Sequence, residues 1–201
     1  MIEYILLIIA SYLIGAIPFS LIFAKIFKNV DVRQAGSGNV GATNTLVSAG
    51  KRAAALALLF DVAKGFSAVV MARIFIGTDA AVVIAAVVAI LGHDFPVYLQ
   101  FSGGKGISTT VGALIAINPY IIFIILILYL FFVLVTRYLI LSSLLVLAVL
   151  PAVFYFLGDG VPYVVFTLLA LLIALYAHRE DIIKLVSGRE GKITSALTHV
   201  V

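Results

Sequence analysis

The sequence predicts an all-α integral membrane protein of about seven transmembrane helices, with its N-terminus outside and its C-terminus inside. Three observations predict this. First, 64% of the 201 residues are hydrophobic and only 11% are charged, against roughly 25% charged in soluble domains. The mean hydropathy is +1.27, and a water-soluble chain this apolar would expose patches that aggregate. Second, apolar stretches approaching the ~20 residues that cross a hydrocarbon core recur along the chain. Third, lysines and arginines collect on alternate connections, as the positive-inside rule requires of a multi-pass protein.

The spans lie at about 3–24, 52–75, 79–98, 104–117, 119–135, 138–157 and 161–178. The first starts Met1-Ile2-Glu3 without a basic segment, and its apolar run is too long for a signal peptide. Turn chemistry separates the later spans: Gly77-Thr78-Asp79, Asn118-Pro119, Thr136-Arg137 and Gly158-Asp159-Gly160-Val161-Pro162. The fourth span is short and opens in a glycine-rich segment, so a re-entrant loop is expected around 100–106.

Seven spans place Lys25, Lys28, Arg33, Lys51, Arg52, Lys105, Arg137, Arg179, Lys184, Arg189 and Lys192 on one side, which is eleven of the thirteen cations. Lys64, inside span two, and Arg73, near its far end, are the exceptions. The opposite connections hold Glu3, Asp79 and Asp159. The net charge of +4 is then a consequence of topology, and no nucleic-acid partner is expected. With so little polar sequence the chain reads as a single polytopic domain, 1–201. Cysteine is absent, which excludes disulfides, thiolate nucleophiles and zinc-thiolate sites.

Three segments carry chemistry. Ala35-Gly36-Ser37-Gly38-Asn39-Val40-Gly41-Ala42-Thr43-Asn44 contains the letters of a dinucleotide fingerprint. No strand precedes it and no βαβ unit fits, so that reading fails. What remains is a loop of small residues whose backbone N–H groups can approach an anion, with Ser37, Thr43, Asn39 and Asn44 adding neutral donors; the alternative is a flexible turn at the membrane edge. In the second segment, 92–106, Gly103, Gly104 and Gly106 surround Lys105, and His93 lies ten residues before Gly103. Glycines around a lysine suit a phosphate, although the Walker pattern is not met; a glycine hinge with a snorkelling lysine is the other reading. In the tail, His178 and Asp181 share a helical face if the seventh span continues as helix. They would form a base with its orienting carboxylate, or part of a basic amphipathic stop that also includes Arg179, Arg189, Glu190 and Lys192. Asp61 and Lys64 read as a structural ion pair within span two. Ser142 and Ser143 follow the turn at Arg137 and either reach the same pocket or bond neighbouring helices.

In order and spacing these segments resemble the bacterial acyl-phosphate:glycerol-3-phosphate acyltransferases, the PlsY family, over essentially the whole chain. The resemblance rests on Asp31-Val32-Arg33 with Gly36 to Asn44, on Gly92 to Val97 with Phe101 to Gly106, and on Asp61 with Lys64-Gly65. Thr136-Arg137-Tyr138 and the tail from His178 also match. It implies transfer of a fatty acyl group from acyl phosphate to glycerol 3-phosphate, giving lysophosphatidic acid and inorganic phosphate. It implies a seven-helix fold in the cell (inner) membrane, a cytoplasm-facing site, no metal or cofactor, and no obligate protein partner. By analogy Ser37, Gly38, Asn39, Asn44, the glycines 103, 104 and 106, Lys105 and Ser142 hold phosphate groups. His178 with Asp181 lies at the reacting centre, and His93, Arg179 and Glu190 support it.

Two positions depart from the family pattern. Val47 stands where the family usually has arginine, which removes a bidentate phosphate ligand. Asp181 stands where the family usually has asparagine, adding negative charge near phosphorylated substrates. They leave open a weakened or substrate-shifted paralogue, or a lipid-binding or transport protein on the same fold. The acyl-CoA-dependent acyltransferases are disfavoured, because neither His178 nor His93 is followed by aspartate at their H-x4-D spacing.

Overall fold

A computed structural model describes residues 1–191; Lys192 lies outside them. Its regular structure is helical throughout and divides into two compact units, Met1–Asn118 and Pro119 onward.

In the first unit, α1 (Ile2–Ala16) and α2 (Phe19–Lys28) make up the expected first span, interrupted at Ile17-Pro18. Proline lacks the N–H a helix needs and drives its predecessor out of the helical region. Ile17 accordingly sits at φ −60°, ψ 119°. Next come α3 (Ala42–Ala49) and α4 (Lys51–Phe75), which are separated by Gly50 at φ 85°. At about 1.5 Å per residue α4 reaches some 37 Å, enough to cross a bilayer. The Thr78 hydroxyl accepts the Ala81 N–H and caps α5 (Asp79–Asp94), which stops before Phe95-Pro96. Last is α6 (Ile107–Ile117), which begins after Gly106.

Glycine lets these helices approach one another closely. A Cβ on Gly65 of α4 would strike the Thr109 carbonyl of α6, and one on Gly112 of α6 would strike the Val62 carbonyl of α4. Gly15 of α1 and Gly92 of α5 make the same reciprocal arrangement against Ala89 and Tyr12. Small-residue contacts of this kind suit a lipid environment, where burying leucine against leucine gains little. Between them lie fully buried alanines, among them Ala53, Ala57, Ala68, Ala85 and Ala89. Arg73, one of the two cations that depart from the charge pattern, donates to the carbonyls of Ala116 (2.7 Å) and Ile117 (2.9 Å). It satisfies the C-terminal carbonyls of α6.

The second unit contains α7 (Ile121–Thr136), α8 (Leu139–Leu157), α9 (Val161–Ala177) and α10 (Arg179–Val186). Arg137, at φ 63°, turns the chain between α7 and α8. Leu147, Leu150, Phe154 and Phe166 form its buried centre. At His178 the helix axis bends by 66° into α10.

The helical stretches 2–28, 51–75, 79–99 and 139–157 are long and apolar enough to cross a membrane, and α9 with α10 would make a fifth if counted as one span. Both α6 and α7 are shorter. The chain is a multi-pass membrane protein. The segment expected to re-enter contains a 3-10 turn (Val97–Leu99), left-handed backbone at Gln100 and Phe101, and then irregular chain to Gly106.

Candidate active site

Asn44 organises the first motif. It is 4% exposed, and its Nδ2 donates to the carbonyls of Val32 (2.8 Å), Ala35 (3.0 Å) and Asn39 (2.9 Å). Its Oδ1 accepts the Ser37 N–H at 2.9 Å. A side chain at Gly36 would collide with that amide. The Gly38 N–H bonds Ala35 O and the Asn39 N–H bonds Ser37 Oγ. Three successive backbone donors are thereby spent inside the loop, and Asn44 shapes it from within. What the loop offers outward is side chains, including the exposed Ser37. At its start Asp31 caps the turn through the Arg33 N–H and pairs with the guanidinium at 2.6 Å. That hydrogen-bonded guanidinium holds the Asp31 carboxyl down at about 2.

The second motif folds back on α5. The Gly103 N–H donates to Asp94 O (3.1 Å) and the Gly104 N–H to His93 O (3.0 Å). These two donors are therefore also used within the fold. A side chain on Gly104 would run into the His93 ring at Nε2, and one on Gly106 would meet the Asp94 carboxylate. Lys105 is half-buried between them. Asp94 is 4% exposed, and neither carboxylate oxygen has a hydrogen-bond partner among the described residues.

Beneath this segment lies a cluster whose extent sequence reasoning missed. Lys64 Nζ sits 2.8 Å from Asp61 Oδ1, and donates to Ile17 O at 3.0 Å and His93 Nδ1 at 2.8 Å. The i, i+3 spacing of Asp61 and Lys64 was legible. The carbonyl exposed at the Pro18 break and the histidine 29 residues away were not. A cavity of about 10 Å³, the room one water needs, touches Lys64, Asp61, His93, Val40 and Gly103.

In the second unit His178 occupies the bend between α9 and α10, 5% exposed. Its Nδ1 lies 2.7 Å from Asp181 Oδ2, while its Nε2 is buried without a hydrogen-bond partner among the described residues. The carboxylate accepts only, so it fixes the proton on Nδ1 and leaves a lone pair on Nε2. An imidazole in that state can remove a proton from a hydroxyl. Arg179 is exposed, donates to Tyr176 O and lies 4.6 Å over the Tyr176 ring; Glu190 lies beyond α10. Ser142, fully buried, donates to Tyr138 O at 2.7 Å and meets Thr136 Oγ1 at 3.1 Å. The same unit carries an apolar groove of about 310 Å³ lined by Leu141, Leu144 and Leu145 of α8, Leu171 and Leu175 of α9, and Ile182 of α10. Val47, the missing arginine, projects from α3 at 70% exposure.

Residues 5–188 match the family described as glycerol-3-phosphate acyltransferase. Among similar curated proteins, the glycerol-3-phosphate acyltransferase of Syntrophomonas wolfei is 40% identical over 94% of this chain and 96% of its own. That of Wolbachia pipientis subsp. Culex pipiens is 43% identical over 94% and 98%. A crystal structure of PlsY, an integral membrane glycerol 3-phosphate acyltransferase, in its glycerol 3-phosphate form, superposes with a TM-score of 0.88 at 33% identity. It covers 94% of this chain and 95% of that one. Its lysophosphatidic acid form gives 0.87. The chain belongs to the glycerol-3-phosphate acyltransferase family.

Proposed function

We propose that this chain acylates glycerol 3-phosphate with acyl phosphate as donor, releasing lysophosphatidic acid and inorganic phosphate as a step of phospholipid synthesis. The observation that carries the reading is His178, a buried imidazole with one nitrogen tied to a carboxylate and the other without a hydrogen-bond partner among the described residues. The glycerol 3-phosphate hydroxyl gives its proton to Nε2 as its oxygen attacks the acyl carbonyl. The bond from that carbonyl carbon to the phosphate oxygen then breaks, and phosphate leaves with the electron pair. Asp181 stabilises the imidazolium that forms. An acyl phosphate is a mixed anhydride with a good leaving group, so this route requires neither a cofactor nor an acylated side chain. Lys105 and Ser37 bind phosphate, and Asn44 and the glycines shape the loops around it. The apolar groove suits a fatty chain: its ~310 Å³ is several methylenes' worth of space.

The chain works as one polytopic domain of seven spans in the cytoplasmic membrane, N-terminus out, with its site on the cytoplasmic face. The charge distribution supports this orientation. Asp181 is less of an electrostatic handicap than its type suggests, because its charge is directed to His178.

The test is an acylation assay on purified protein with glycerol 3-phosphate and either acyl phosphate or acyl-CoA. Phosphate release and lysophosphatidic acid formation are expected with acyl phosphate alone. Their absence would sink the proposal and favour a non-catalytic lipid-binding relative. Incorporation from acyl-CoA would replace the donor.

A further inference from the structure

We propose that His93 is a positioning and binding residue of the glycine segment, presenting Nε2–H toward bound phosphate in a tautomer that Lys64 dictates. The inference rests on the proposed assignment of phosphate binding to Lys105 in the glycine segment.

An ammonium carries three N–H donors and no acceptor. In Lys64 two of these meet Ile17 O at 3.0 Å and His93 Nδ1 at 2.8 Å. Asp61 Oδ1 is an ion partner 2.8 Å from Nζ and stands 3.6 Å from Nδ1, beyond hydrogen-bond reach. Because the lysine can only donate, Nδ1 must accept, and the ring proton is therefore on Nε2. Asp61 keeps a charge partner beside the ammonium, and together the two are 2–3% exposed. The ring is held at Nδ1 by Lys64, itself anchored at the Pro18 break, and its Nε2 edge packs against Gly104.

Nε2 is the edge that faces Gly104, where even a methyl group would collide with it. This explains why residue 104 has no side chain. It also supplies a donor where the backbone does not, because the N–H groups of Gly103 and Gly104 are turned back onto α5. A neutral imidazole donor against Gly104, the residue next to Lys105 in the chain, suits a phosphate monoester: a lysine supplies charge and the imidazole a directed hydrogen bond. The opposite polarity holds at His178, where a carboxylate fixes the proton on Nδ1. Two histidines are thus set in opposite tautomers by partners of opposite charge.

The experiment begins with the unaltered full chain, labelled with 15N-histidine in detergent micelles, and uses His93→Gln to identify the signals. Nε2 protonated and Nδ1 unprotonated at neutral pH is the expected result, with the Nε2–H resonance shifting on addition of glycerol 3-phosphate. A proton on Nδ1, or a resonance indifferent to saturating glycerol 3-phosphate, overturns the proposal. Kinetics supply the second arm. Lys64→Met combined with Asp61→Asn, which strands no charge, should raise KM for glycerol 3-phosphate about tenfold and leave kcat within a few-fold. Adding His93→Gln to that background should change KM little further, because the three residues act along one path. A loss confined to kcat, or fully multiplicative effects, would refute it. Should the wild type fail to transfer acyl groups, the proposed reaction falls, and the tautomer and the ligand-induced shift still decide this inference.

Discussion

Asn44 Oδ1 accepts the backbone N–H of Ser37 at 2.9 Å, and the opposite end of the same amide gathers three carbonyls. The exposed serine of the first motif thus takes its position from a buried asparagine seven residues away. Asn44→Asp keeps the acceptor and deletes the donors, setting a carboxylate against Val32, Ala35 and Asn39 carbonyls. Each buried polar group left unsatisfied costs about 1–3 kcal/mol. The variant should melt at lower temperature in detergent and lose most acyltransferase activity. Asn44→Ala should lose activity with a smaller thermal shift, since it strands partners without adding charge. Thermal unfolding followed alongside the acylation assay checks both.

Val47 projects from α3 at 70% exposure. Val47→Arg therefore adds no buried charge, and surface substitutions of this kind usually fall within about 0.5 kcal/mol. If the valine leaves the site short of a cation, the substitution should lower KM for glycerol 3-phosphate several-fold at unchanged thermal stability. An unchanged or raised KM would show that this chain compensates elsewhere.

His178 and Asp181 should separate by size of effect. Removal of a general base typically costs roughly 10²–10⁴ in rate, and His178→Gln should fall in that range in kcat. Asp181→Asn retains a carbonyl to accept the Nδ1 proton but loses the charge that stabilises the imidazolium. Its kcat should drop by a smaller factor. If Asp181→Asn matches or exceeds the wild type, the base lies elsewhere, and a substrate phosphate becomes the candidate.

Asp31 offers a pH control. Its carboxyl is held at about 2 by Arg33, below the ~3.9 of an unperturbed aspartate. A depressed carboxylate adds stability that is complete above the unfolded value and is lost as pH falls through the folded one, here between about 4 and 2. Between pH 5 and 9 the Asp31–Arg33 pair should therefore stay charged. Any change in activity caused by Asp31→Asn should be the same factor at pH 6 as at pH 8. A factor that varies with pH across this range would mean the carboxylate titrates during turnover.

Helical class and most helix boundaries were legible, because apolar runs and turn residues are local signals. The break in the first span lies at Pro18, inside an apolar run whose length alone reads as one continuous helix. Of the site, the residue types were legible and their duties were less so. Small residues at 36–44 and 103–106 suggested backbone donors aimed at an anion. Ser37, Gly38, Asn39, Gly103 and Gly104 instead spend their N–H groups on nearby acceptors. Which direction an N–H points depends on a side chain such as Asn44 entering the loop, and periodicity carries no trace of it. Lys64 illustrates the same limit. Its link to Asp61 is three residues long, whereas its links to Ile17 and His93 are tertiary.

Gly65 and Gly112 give the most direct test of the helix packing. Each stands where the other helix brings its backbone closest: Thr109 O lies over Gly65, and Val62 O over Gly112. A carbonyl in a helix cannot rotate out of the way, so an added Cβ must push the helices apart. Overpacking of a filled interior costs typically about 1–3 kcal/mol and occasionally more. Gly112→Leu should exceed Gly112→Ala, because a longer side chain demands a wider separation between α4 and α6. Moving α6 also moves Gly106 and Lys105 at its start, while the Asp61–Lys64 pair rides on α4. Gly112→Ala should therefore raise KM for glycerol 3-phosphate as well as lower the melting temperature. A contrast sits at Gly158, where a Cβ would meet nothing within 4 Å. At φ 73° that glycine serves conformation alone, and Gly158→Asn, which tolerates the left-handed region, should leave KM untouched. Equal kinetic damage at Gly112 and Gly158 would mean that close contact between α4 and α6 has no special part in holding the glycine segment.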